Sequence, residues 1–176
     1  MTDGTIEEHD GIYTFRYERE FPQPIERVWR AITDPAEIEA WTGSRPEIDL
    51  RPGGRYVTHH GNGMTVVDRV ERVEPPHLLQ HTFWLDVNPS ALVTWELSPT
   101  EHGCRLTLTH KLSRADVEAA ANSVAQGDSV TLILSRNAAG WHQLLNKLAA
   151  RLAGRDGTCS DEGHQALLAR YAKLVG

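Results

Sequence analysis

Cysteine is scarce in this chain. Its two thiols sit in unrelated settings, Cys104 alternating with leucines and Cys159 in the polar run Gly157-Thr158-Cys159-Ser160. Such a pair makes no disulfide framework, so the expected compartment is a reducing cytoplasm. Long apolar runs are missing as well. No stretch approaches the ~18 residues of a membrane span, and residues 1–10 carry neither a basic leader nor an apolar core, so no membrane partner is expected. Positive charge is in deficit: 18 Lys and Arg stand against 24 Asp and Glu, a formal charge of -6, which argues against nucleic acid as a partner. A Gly-x-Ser-x-Gly elbow, a phosphate loop, a dinucleotide fingerprint and a His-x-x-Glu-His run are all absent, so neither a cofactor nor a metal is expected.

What is present is a strand-rich middle between two helical signatures. With 176 residues, 40% of them hydrophobic, the chain suffices for one domain with appendages and a core that needs no staple. Residues 1–11 are acidic and patternless and read as a flexible tail. Tyr13, Phe15 and Tyr17 alternate with polar residues as a first strand, and Pro24 opens a helix whose buried stripe is Ile25, Val28, Trp29 and Ile32. Asp34-Pro35 ends that helix, and a second short one runs to about Trp41. Pro52-Gly53-Gly54, Gly61-Asn62-Gly63, Glu74-Pro75-Pro76, Asn88-Pro89-Ser90 and Thr100-Glu101-His102-Gly103 then punctuate strands over 47–50, 55–60, 64–73, 78–87, 91–97 and 104–112. These are about seven strands, mostly antiparallel by their short connections. Ser113-Arg114-Ala115-Asp116 reads as a cap before a short helix over 117–124. A long helix follows from 129 to 153, with apolar residues at 130, 134, 141, 144, 145, 148 and 152, ended by Gly154. Residues 154–176 supply a linker and one more amphipathic helix from 162.

The order strand, two short helices, six strands, long helix is the α+β helix-grip arrangement over residues 12–153, a curved antiparallel sheet wrapped around a long C-terminal helix. The residues resemble the START-like (SRPBCC) superfamily and, within it, the family similar to the activator of the Hsp90 ATPase (AHSA-like). The resemblance is carried by Glu20-Phe21-Pro22, by Ile25 through Asp34-Pro35, by Trp41 and by Asp49-Leu50-Arg51-Pro52-Gly53-Gly54-Arg55-Tyr56. Val73-Glu74-Pro75-Pro76 before Leu78-Leu79, Gly103-Cys104-Arg105-Leu106-Thr107-Leu108-Thr109-His110 and Gly140-Trp141 complete it. Thr42 departs from the pattern, standing where relatives carry an aromatic. The resemblance implies a cavity between sheet and long helix, and it spans co-chaperone domains as well as proteins of unassigned role.

Strand parity nominates the cavity lining. His81 with Phe83, Trp95 with Val93 and Leu97, and His110 with Leu106 and Leu108 form inward sets, and His59 is a further candidate. His59 and His60 are consecutive, so they point to opposite faces. Asp68 shares a face with Val66 and Val70, which would bury its carboxylate beside a histidine; alternatively the strand slips, because Val67 and Val73 also claim the inner side, and leaves Asp68 paired with an arginine at the surface. The second reading is preferred. Trp29, Trp41, Trp95 and Trp141 read as lid and core packing. Trp84 is expected on the outer face with Thr82 and Asp86, where it would suit a chaperone or homodimer contact. The expected role is binding of a small apolar, aromatic or lipid-like molecule by Trp41, His59, Asp68, His81, Phe83, Trp95, His110 and Trp141, without a catalytic residue. A co-chaperone-like interaction module and a polyketide-cyclase or hydrolase-type enzyme remain the alternatives.

Overall fold

Alternation of apolar and polar residues drives most of the chain into strands, and the glycine and proline turns fold those strands back on one another. The computed structural model describes residues 3–60, 63–123, 125–155 and 161–175. Within it run β1 (Thr5–His9), β2 (Ile12–Phe21), α1 (Ile25–Thr33), α2 (Pro35–Thr42), β3 (Glu47–Ile48), β4 (Arg55–His59) and β5 (Thr65–Glu74). After them come β6 (Leu78–Thr82), β7 (Leu92–Thr100), β8 (Gly103–Ser113), α3 (Arg114–Ala121), α4 (Val130–Leu152) and α5 (Asp161–Val175). The strands form one curved, open, antiparallel sheet in the order β1-β2-β8-β7-β6-β5-β4-β3. The long helix α4 packs against it through Leu134, Ala138, Trp141, Leu145, Leu148 and Leu152, all buried. This is the helix grip.

The sheet has eight strands where seven were expected. The additional one is β1, inside the stretch read as a tail: Thr5–His9 pairs with β2, placing Ile6 opposite Phe15. Its side chains are almost all exposed, as on an edge strand, so its sequence shows no alternation; backbone pairing alone recruits it. Helix starts follow local chemistry. The Asp34 side chain accepts from Ala36 N at 2.8 Å and Glu37 N at 3.3 Å to cap α2, while Ser113 and Ser129 cap α3 and α4. Gly53 supplies a positive φ of 80°, and Gly54 lies so close to the Asp49 carbonyl that a Cβ would sit 2.0 Å from it. Backbone bonds from Gly53 N to Val70 O and from Val70 N to Gly54 O, both 2.8 Å, dock this turn on β5.

Beside that turn the β5–β6 register shifts between Val70 and Arg72, a bulge that resets the strand's phase. Val66, Asp68 and Val70 face inward before it and Val73 is half-buried after it, while Val67 is 41% exposed. The bulge thus brings Val73 inward without moving Asp68 outward, and Val67 is left on the solvent side. The strand expected over 78–87 stops at Thr82 because the chain turns there, with Val87 N and Asn88 N both donating to the Trp84 carbonyl. Among the described residues no helix is long and apolar enough to cross a membrane. The tip of the Gly61-Asn62-Gly63 turn, Val124 at the end of the expected short helix, and Cys159 fall outside the described residues.

Candidate functional site

Between α2, α4 and the β4–β7 part of the sheet lies a cavity of about 380 Å³. Helix α1 contributes Ile32, α2 contributes Ile38 and Trp41, and α4 contributes Trp141 and Leu144; the strands contribute Tyr56, Thr58, Asp68, His81 and Trp95, and the connection after β6 contributes Phe83 and Trp84. Seven of the eight residues expected to bind the ligand border it: Trp41, His59, Asp68, His81, Phe83, Trp95 and Trp141. Trp29 instead packs against the core.

The indole N–H groups are largely consumed by the protein. Trp41 Nε1 donates to the Ala31 carbonyl at 2.9 Å, Trp95 Nε1 to His81 Nε2 at 3.3 Å and Trp141 Nε1 to His110 Nδ1 at 3.0 Å. These indoles are thereby fixed in orientation and turn apolar ring surface toward the space. Phe83 and Trp95 flank Trp141 at centroid distances of 5.1 and 5.9 Å, and Tyr56 stacks on His81 at 4.4 Å.

The histidines are held neutral. His81 is 4% exposed, accepts from Trp95 at Nε2, and therefore carries its proton on Nδ1, which donates to the Thr82 carbonyl at 2.6 Å. Burial is the main force lowering its pKa. His110 is not part of the lining and so departs from the expectation. It stands one layer behind, between Phe15 and Phe83, and orients Trp141 through Nδ1. Burial, with His81 as a second cause, pulls its pKa down to about 3.

Asp68 corrects the preferred surface reading. It is 4% exposed and among the described residues pairs with no arginine; its carboxylate accepts from Thr82 Oγ1 at 2.9 Å, Leu85 N at 3.1 Å and Trp84 N at 3.2 Å. Trp84 is thereby held at φ 54°, a left-handed conformation that costs a bulky residue free energy. The same clamp turns Phe83 and Trp84 into the cavity wall. Trp84 is thus half-buried beside the cavity, not on the outer face, with its ring 5.3 Å from that of His60.

His59 also differs from its expected role. Its ring meets Thr65 Oγ1 at 3.2 Å and Glu47 Oε1 at 3.7 Å, on the parity opposite Tyr56 and Thr58, so it marks the rim. Sequence reasoning missed Tyr56, Thr58 and His60. Their i, i+2, i+4 spacing was the available signal, masked by the attention that His59 drew. The Tyr56 hydroxyl has no hydrogen-bonding partner among the described residues, and burial, with Asp68 as a second cause, raises its pKa. No group of three or more His, Cys, Asp or Glu able to hold a metal ion occurs among the described residues.

A curved sheet gripping a long helix is the helix-grip arrangement, and the family match that follows carries it to the START-like (SRPBCC) superfamily. Within that class the chain belongs to the family described as Activator of Hsp90 ATPase homolog 1-like protein, which matches residues 22–153. A curated relative is the uncharacterised protein C1711.08 of Schizosaccharomyces pombe, 31% identical over 91 residues, or 51% of this chain; the match spans 23% of that relative's length. Among solved structures, MLL2253 from Mesorhizobium loti is 27% identical with a TM-score of 0.61 over 80% of this chain and 96% of that one. CalU16 from Micromonospora echinospora shares the fold at 23% identity and a TM-score of 0.67, over 98% of this chain and 95% of that one. Family and fold fit ligand-binding or polyketide-cyclase-like proteins of the superfamily.

Proposed function

We propose that the chain binds a small, largely apolar molecule with aromatic or lipid-like character in the cavity between sheet and α4. The observation that carries this reading is an open volume of about 380 Å³ lined by Trp41, Tyr56, Phe83, Trp84, Trp95 and Trp141, within the size range of small-molecule sites. Tyr56 and Asp68 are the polar groups that would orient a ligand. The binding unit is taken as residues 12–153, with α5 as an outer brace, in a reducing cytoplasm where buried Cys104 stays a thiol.

Catalysis is less well supported, because Asp68 already accepts three hydrogen bonds and both His81 nitrogens are engaged, leaving neither free to move a substrate proton. A chaperone-docking role loses its proposed surface once Trp84 turns toward the cavity. Tryptophan-fluorescence titration and thermal shift against fatty acids and polycyclic aromatic metabolites test the reading. Saturable quenching is expected with at least one class, and Leu144→Trp, which fills the cavity from α4, should abolish it while the protein stays folded. Binding that survives Leu144→Trp unchanged would remove the cavity from the account.

A further inference from the structure

Away from the aromatic cavity, the interface of β2, α4 and α5 holds an unbalanced charge. Arg19 lies on the inward parity of β2 with Tyr17 and Phe21 and is 5% exposed. Its Nη1 donates to the Glu18 carbonyl at 2.9 Å, whereas Nε and Nη2 are buried with no hydrogen-bond partner. Those two nitrogens share one edge of the planar guanidinium, and their parallel N–H bonds form the fork that takes two oxygens of a single carboxylate or phosphate. Among the described residues no carboxylate meets them. Asp3 acts on Arg19 only through space, and its carboxylate is already shared between Arg170 at 3.2 Å and His142 at 3.9 Å. An arginine does not escape burial by losing its proton under ordinary conditions, so the cost of the bare charge stands.

The surroundings are polar as well. The Tyr17 hydroxyl donates to the Ala138 carbonyl and Gln23 Nε2 to the Leu152 carbonyl, so the part of α4 facing Arg19 lies between those residues. His142 is within it, and Arg19 contributes to lowering its pKa, behind burial. The acceptors Gln23 Oε1 and Asn146 Oδ1, and His164 Nδ1 on α5, are also buried without hydrogen-bond partners among the described residues. Native interiors leave few such atoms unsatisfied unless something small occupies the space beside them.

We infer that this interface binds a small oxyanion, a carboxylate or phosphate group held side-on by Arg19 Nε and Nη2. Arg19 does not line the aromatic cavity, so the site stands apart from the ligand proposed above.

The test refolds the full chain from urea at fixed ionic strength with inorganic phosphate, acetate or chloride, since an enclosed guanidinium takes up its anion most readily during folding. Phosphate or acetate should raise the melting temperature above that in chloride, with a dependence on anion concentration that gives an apparent Kd. Phosphate alone doing so identifies a phosphoryl ligand, acetate alone a carboxylate, and both a general oxyanion site. Arg19→Lys keeps the charge and loses the fork, and should weaken the apparent affinity about tenfold or more. Arg19→Met should fold without the anion and show no anion-dependent shift. Equal shifts in the wild type and Arg19→Met, or no shift in the wild type, would overturn the site. If neither variant folds, a crystal structure of the wild type refolded in phosphate and in acetate decides: an oxyanion on Nε and Nη2 supports it, and water alone at both nitrogens refutes it.

Discussion

His110 shows how one buried residue sets the pH response. In the folded protein its pKa is about 3, against an ordinary value near 6.5, chiefly because burial penalises the charged ring. Between those values the unfolded chain binds a proton that the folded chain refuses, so this contribution is complete above pH 6.5 and is lost as pH falls toward 3. The loss runs at up to about 1.4 kcal/mol per pH unit for this one group. His81, also lowered by burial, acts in the same direction. His110→Gln keeps an acceptor for Trp141 Nε1 but removes the titration. Urea midpoints between pH 6.5 and 4 should therefore fall less steeply in the variant, by about one proton's worth of slope, and parallel curves would show that His110 is not the titrating group. Parity identified His110 as inward-facing; its place behind Phe83 depends on the depth of packing, which alternation does not encode.

At the scale of elements, the connection from β6 to β7 depends on Asp68 in β5. One carboxylate accepts Thr82 Oγ1 at the end of β6 and the backbone N–H groups of Trp84 and Leu85, holding the turn that carries two cavity walls. Asp68→Ala leaves those donors without their acceptor and should cost about 2–3 kcal/mol. Amide exchange at Trp84 and Leu85 should accelerate beyond the global change while β2 and β8 follow the global change, and ligand affinity should fall with it. Exchange accelerated uniformly across the sheet would mean that Asp68 supports the fold without clamping the turn. The bulge between Val70 and Arg72 explains why this residue was hard to assign. Val67 and Val73 each suggest a phase that an unbroken strand cannot reconcile with an inward Asp68; the inserted residue, stapled by the Gly53-Gly54 turn, turns Val73 inward, while Val67 faces solvent.

For the whole molecule, α5 closes the side of α4 that the sheet leaves uncovered. Tyr171 is fully buried, its hydroxyl accepting from Gly4 N at 3.0 Å and lying 2.9 Å from His142 Nδ1, so one side chain ties α5 to α4 and to the residues just before β1. Tyr171→Phe should cost about 1 kcal/mol for the lost hydrogen bonds. Tyr171→Ala should cost about 3–5 kcal/mol, as for other buried aromatics cut back to a methyl group. Chemical denaturation of the two variants checks this, and a Tyr171→Ala loss no larger than that of Tyr171→Phe would mean that α5 is only loosely held.

The amino-acid sequence by itself determined the helix grip. Proline and glycine punctuation, the alternating strands and the seam from Leu134 to Leu152 are local signals, and each element forms for reasons contained within a few residues of itself. It also determined which residue types line the concave side, His81, Trp95 and Trp141 among them. Tertiary structure alone decided the pairing of β1, the inward turn of Trp84, the burial of Asp68, the retreat of His110 behind the wall and the bare edge of Arg19. Each of these depends on what a distant segment brings alongside: a neighbouring strand's backbone, a carboxylate sixteen residues away from Trp84, or a facing helix that offers the guanidinium no partner. Periodicity states which way a side chain points, and packing between remote elements decides what it meets there.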